Sequence, residues 1–266
     1  MKLYWQIMFN AIQSNITYRF STLANTLNRL LSMIVYISVW IALYNGADLM
    51  NHTIQQATLS EMIIYILITT LIGILIQNSN IYIISEKISS GSIVMNLIRP
   101  IGLFKTIMFE TIGAKLLTVI LEFIPILTVG VFLFNVSLPI GWSTLFFSLS
   151  IFNGFIIYFL LTYLLGLCSF WYYRIFHLDF ILTQVLNFFS GLLVPIWFFP
   201  HTLKVVSSFL PFELIYYHPL VIFLEKGNIY EYSWALMKGY MWIVILSILI
   251  SYVWSKAMKK LVIQGG

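Results

Sequence analysis

Apolar residues in this chain gather into long runs separated by short polar segments, and each run is close to the length that crosses a bilayer as a helix. Taken in order, the runs predict six spans, at about residues 28–45, 62–84, 106–134, 142–167, 180–199 and 235–254. Residues 1–27 read differently. Trp5, Met8, Phe9, Ile12, Ile16 and Phe20 recur near the helical period, with Gln6, Asn10, Gln13 and Ser14 between them. That predicts an amphipathic helix lying in the membrane interface.

The chain is organised around Ser85–Ile101, a polar, glycine-broken stretch between the second and third runs. Both neighbours are apolar enough to cross, so this stretch lies at a membrane surface, and Lys87 and Arg99 place that surface on the cytoplasmic side. Gly91 permits the turn a short helix needs to run along the surface, as an ordinary loop glycine also would. Arg99-Pro100 begins the return to the third span, with Arg99 reaching either headgroups or a soluble partner.

The remaining loops fit the same orientation. Residues 46–60 contain Asp48 and His52 but no Lys or Arg, the mark of an outside loop. The aromatic run Phe170–Tyr173 and Arg174 form an interfacial belt, so Arg174, His177 and Asp179 make a second cytoplasmic loop. With both termini cytoplasmic, Lys2, Arg19, Arg29, Lys87, Arg99, Lys105, Lys115, Arg174, Lys256, Lys259 and Lys260 lie inside or just within the membrane. Only Lys204, Lys226 and Lys238 lie outside. Arg29 is expected to snorkel to the cytoplasmic face.

The third span carries Glu110, Lys115 and Glu122, with Pro125 interrupting its hydrogen bonding. Glu110 and Lys115 are within snorkelling reach of the cytoplasmic end. Glu122 is deeper and must face the protein interior, either as a pathway or gating group or as a structural hydrogen-bond partner of another helix. In the fifth span Gly191 and Pro195 weaken the helix, which makes them candidate gating positions. The apolar pieces from 199 to 224 are too short to cross and are cut by Pro200, Pro211 and Pro219, so they read as helices dipping partway into the outer leaflet.

Composition fits this reading: 61% of the 266 residues are hydrophobic and only 9% charged, so an all-α integral membrane protein is expected. The net charge of +5 sits at the ends of apolar runs, where orientation and anionic lipid explain it, and no nucleic-acid partner is expected. Cys168 stands alone, without the neighbours a metal or redox site needs. No cleaved signal peptide is predicted. Abundant Ile, Asn, Tyr and Lys with little Ala suggest an AT-rich, low-GC bacterial genome. There is no GxxxxGK[ST], HExxH or GxSxG, so no enzyme activity, metal or cofactor is expected in this chain.

Ile88-Ser-Ser-Gly91-Ser-Ile93-Val-Met-Asn-Leu-Ile-Arg99-Pro100 resembles the I-x-x-G-x-[IL]-x-x-x-L-[IL]-R-P segment of the ABC-2 type transporter permeases, in particular bacterial export permeases. Ser190-Gly191, Pro195, Pro200 and Leu210-Pro211-Phe212, leading to Tyr217-His218-Pro219, resemble that subfamily's second signature. The resemblance spans nearly the whole chain. It implies one membrane domain over 1–266, with an interfacial elbow helix, a coupling helix between spans two and three, and re-entrant helices between five and six. It further implies a multi-pass subunit of the cytoplasmic membrane that pairs with a second permease, as homodimer or heterodimer, and with two ATPase subunits that bind ATP and Mg. Glu86, Lys87, Ile88, Gly91, Ile93, Arg99 and Pro100 would contact the ATPase. The function implied is ATP-driven export of an amphiphilic substrate.

Two rival functions remain open at the level of sequence. An ion-coupled secondary transporter would use Glu122 or Asp179 as a proton site, but such folds commonly show two halves of matching hydropathy, and here only the second half has the broken outer segment. A membrane scaffold or immunity protein would bind a partner without transport.

Overall fold

The computed structural model describes residues 2–17, 19–46, 57–98, 101–134, 141–172 and 175–264. Arg99, Pro100, Arg174 and most of the 46–60 loop lie outside the described residues. Among those described there are helices and no strands. The order is α1 (Lys2–Thr17), α2 (Arg19–Gly46), α3 (Leu59–Ile76), α4 (Asn80–Ser89), α5 (Ile93–Ile98), α6 (Leu103–Thr118) and α7 (Ile124–Phe134). There follow α8 (Trp142–Leu167), α9 (Phe176–Phe189), α10 (His201–Phe209), α11 (Tyr217–Phe223) and α12 (Ile229–Gln264).

Five stretches are long and apolar enough to cross a membrane: 20–46, 59–89, 103–132, 142–170 and 229–260. A sixth is present if α10 and the segment Phe212–Phe223, bent by 81° at their junction, count as one broken span. The crossing predicted at 180–199 is not a continuous helix. Its helix is α9, only 14 residues and about 21 Å long, and it stops before Gly191. There the backbone turns at φ +81°, and Pro195 then opens the short 3-10 turn Ile196–Phe198. A left-handed residue followed by a proline does not extend a helix.

The elements form for recognisable reasons. Thr58 and Glu61 make a reciprocal capping box at the start of α3, with Glu61 N–H donating to Thr58 Oγ1 at 3.2 Å and Thr58 N–H to Glu61 Oε2 at 2.8 Å. Residues 62–84 are broken at Gln77–Ser79 into α3 and α4. Between α6 and α7 the helix widens into a π-helical turn, Val119–Phe123, whose last bond runs from Ile124 N–H to Val119 O. Pro125 follows directly. The wider turn accommodates the missing donor and the ring that a regular helix would drive into the preceding carbonyl.

The core lies around α3 and α8. In their most apolar windows 61% and 56% of residues are buried, against 17–22% for the other three spans, so α2, α6–α7 and α12 are peripheral. Helix α8 packs against α12, α4, α11 and α3, and α1 lies along α6. Met62, Leu67, Ile74, Phe159 and Leu167 are wholly enclosed. Lipid tails are as apolar as these side chains, so close packing rather than exclusion from water holds the helices together. The tightest approach is α1 on α6, where a Cβ on Gly113 would stand 2.6 Å from Met8 O.

Candidate functional site

The break between α3 and α4 gathers most of the ionisable groups. A helix that ends inside a protein leaves carbonyls without donors, and here Lys115 of α6 supplies them, donating to Ile74 O at 2.6 Å and also to Gln77 O. The side chain turns inward, so the snorkelling expected of Lys115 does not occur: the orphan carbonyls outcompete the membrane surface.

Arg29 behaves likewise. Its guanidinium reaches into the protein, with Nε 3.1 Å from Glu122 Oε2 in a close ionic contact and Nη2 donating to Gln77 Oε1 at 3.3 Å. Gln77 Nε2 in turn donates to the Tyr216 hydroxyl at 3.1 Å. Glu122 is only 5% exposed, and burying its charge requires such a partner. A chain of polar contacts therefore joins α2, the α3–α4 break, the π-turn and the segment before α11.

Glu110 is also held within the fold: Lys87 Nζ of α4 donates to its Oε1 at 3.2 Å. A second bridge leaves α4 where the Tyr82 hydroxyl donates to Asp179 Oδ2 of α9 at 2.8 Å. His177 is exposed at the start of α9.

These groups line a cavity of about 770 Å³ bounded by α1, α2, the α3–α4 break, α6 and α9. Its wall is rich in uncharged polar side chains, among them Asn10, Ser14, Asn25, Thr183 and Asn187. A smaller cavity of about 400 Å³ shares Asn25, Arg29, Gln77, Asn187 and Leu192 with it and extends between α2 and α3. Of this wall, Glu122 and Asp179 stand out in the sequence as charged groups, whereas Asn25 and Asn187 are single uncharged residues that no local pattern marks.

At the surface, Glu86 is exposed and the chain turns at Gly91 with φ +72°. Ile93 faces inward at 1% exposure, packed within this chain. The outward apolar face of α5 is made by Val94, Met95 and Ile98, the last 76% exposed. A six-residue helix beginning after a left-handed glycine fixes which side of the pattern faces out, and the sequence pattern alone did not.

At the opposite end, the Tyr65 hydroxyl donates to Gly191 O and its ring meets Trp197 edge-on at 5.4 Å. Lys226 Nζ donates to Glu61 Oε2 at 2.9 Å and lies 5.0 Å from the Trp197 ring centre. Gly191 and Pro195 are thus buried in a packed cluster at this end. Nearby, the Glu213 carboxylate takes bonds from Lys238 and, at 3.2 Å, contacts His218 Nε2.

Among the described residues no group of His, Cys, Asp or Glu is placed to hold a metal ion. Apolar spans around a polar interior, with a short helix presented at one end, define a multi-pass membrane protein. A family model described as ABC-2 family transporter protein matches residues 30–265. The chain belongs to that family, the membrane permeases of ATP-binding cassette transporters. Neither a curated protein sequence nor a solved structure gives a significant match.

Proposed function

We propose that this chain is the membrane subunit of an exporter, pairing with a second permease and driven by two separate ATPase subunits that bind ATP and Mg from the cytoplasm. The observation that carries the reading is the α4–Gly91–α5 turn, which presents Glu86 and the apolar side chains of Val94, Met95 and Ile98 outside the bundle. An apolar cluster on a polar surface segment is a docking feature, since nothing among the described residues covers it. The chain itself contributes no catalysis, and the fuel is the partner's.

Force applied to α5 reaches the bundle through α4. Lys87–Glu110 ties α4 to α6, and Tyr82–Asp179 ties it to α9. Closure of the ATPase pair moves α4, and the two bridges carry the displacement to helices on either side of the polar cavity. The coupling free energy is the difference in ATPase contact between the two states of the permease. The cargo is amphiphilic and leaves the cell.

The test is co-purification of the ATPase with a Met95→Glu/Ile98→Glu variant, together with transport in vesicles. Loss of both, with thermal stability unchanged, is expected. Full association and transport in that variant would overturn the docking assignment.

A further inference from the structure

Resting on the exporter reading, the geometry points to the two adjoining cavities as a binding site for the neutral, hydroxyl-rich head of an amphiphile, such as a glycosyl group. The head occupies the adjoining spaces of about 770 and 400 Å³. Both volumes are in the range of small-molecule sites.

The charge distribution selects the head. Arg29, Lys115, Glu110, Glu122 and Asp179 all line the larger cavity, but each is already engaged, by Glu122, by the Ile74 and Gln77 carbonyls, by Lys87, by Arg29 and by the Tyr82 hydroxyl. Two of the three carboxylates, Glu122 and Glu110, are paired with Arg29 and Lys87. A charged head would compete with ion pairs already made, which is costly.

What the wall offers instead is uncharged. Asn10, Ser14, Asn25, Thr183 and Asn187 line the cavity and make no side-chain hydrogen bond with any described residue. Carboxamides and hydroxyls both donate and accept. A sugar hydroxyl does the same, whereas a phosphate offers chiefly acceptors and an ammonium only donors. Hydrocarbon would leave these groups unsatisfied, so this wall does not face lipid tails.

The smaller cavity continues the same mixed wall. Asn28, Ser32, Thr69 and Thr70 line it beside Trp40 and Ile66, and it meets the larger one at Asn25, Arg29, Gln77 and Asn187. The polar side chains of α1, an interfacial helix by its sequence pattern, bound the larger cavity, so the head sits near headgroup depth.

The experiment labels a single cysteine, Asn187→Cys in a Cys168→Ala background, with N-ethylmaleimide, using the full chain in phosphatidylcholine nanodiscs. The added probes are an alkyl glucoside, an alkyl phosphate and an alkyltrimethylammonium of equal chain length. Near-saturating glucoside is expected to slow labelling by about fivefold or more, and the two charged probes by less than half that factor. The further change Asn25→Leu, at a side chain with no internal partner, is expected to abolish the protection while leaving thermal stability unchanged. Equal protection by all three probes would overturn the head-group assignment. Protection by none would overturn the site, leaving a water-filled vestibule or a face covered by a second subunit. No ATPase is present in this measurement, so its failure is separable from failure of the docking test on α5.

Discussion

Arg29 and Glu122 stand 3.1 Å apart, one on the first long apolar helix and the other in the π-turn of the third. The pair is asymmetric: Glu122 is almost fully enclosed, while about a quarter of the Arg29 side chain remains accessible. Loss of the two partners therefore has unequal consequences. Arg29→Met leaves a buried carboxylate unpaired and is expected to destabilise by about 3 kcal/mol. Glu122→Gln leaves a partly solvated guanidinium and costs about 1–2 kcal/mol. The double variant Arg29→Met/Glu122→Met should recover most of the loss, and thermal unfolding of the four proteins checks the ordering.

Lys115 closes the end of α3 with its ammonium. Lys115→Met orphans the carbonyls of Ile74 and Gln77 and should cost about 1–3 kcal/mol, read as a lower unfolding temperature. Replacing exposed Lys256 by Met should have no comparable effect.

Gly113 permits the contact of α1 with α6. Gly113→Val drives a side chain into the Met8 backbone, which cannot yield as a flexible side chain does, and is expected to cost about 1–3 kcal/mol. Release of α1 should appear as faster proteolysis within residues 2–17, with cleavage elsewhere unchanged.

Tyr82→Phe removes one of the two bridges from α4. The lost hydrogen bond is worth about 1 kcal/mol, so folding and ATPase association should survive. Under the exporter reading, substrate moved per ATP hydrolysed should fall. An unchanged ratio would show that Tyr82–Asp179 carries no force.

Much of the architecture was legible in the chain because apolar runs of bilayer length leave little choice of secondary structure. The Ile88–Pro100 signature pointed to the family that the match over 30–265 establishes. Side-chain direction was less legible. Arg29 and Lys115 were expected to reach for the surface, because snorkelling is what an isolated helix would do; which buried carboxylate or carbonyl competes for them depends on contacts dozens of residues away. The inward direction of Ile93 was hidden for a related reason. Within a six-residue helix, hydropathy cannot tell the buried apolar face from the exposed one, and only the turn at Gly91 sets it. The halt of α9 before Gly191 was half visible, since glycine and proline were noted, but their combined effect is an end rather than a weak point.

Lys226 fastens the start of α3 to the loop after α11 through Glu61, while Trp197, sandwiched between Lys226 and Tyr65, includes the strand of chain that follows α9. Three stretches far apart in sequence thus share one latch at the end remote from α5. Parting that end by tilting α3 alone would break the Glu61–Lys226 contact, the Tyr65–Trp197 ring contact and the Tyr65–Gly191 hydrogen bond together, so the latch is expected either to travel as a single cap or to unfasten in one step. Under the exporter reading, its release is then a threshold rather than a gradual opening.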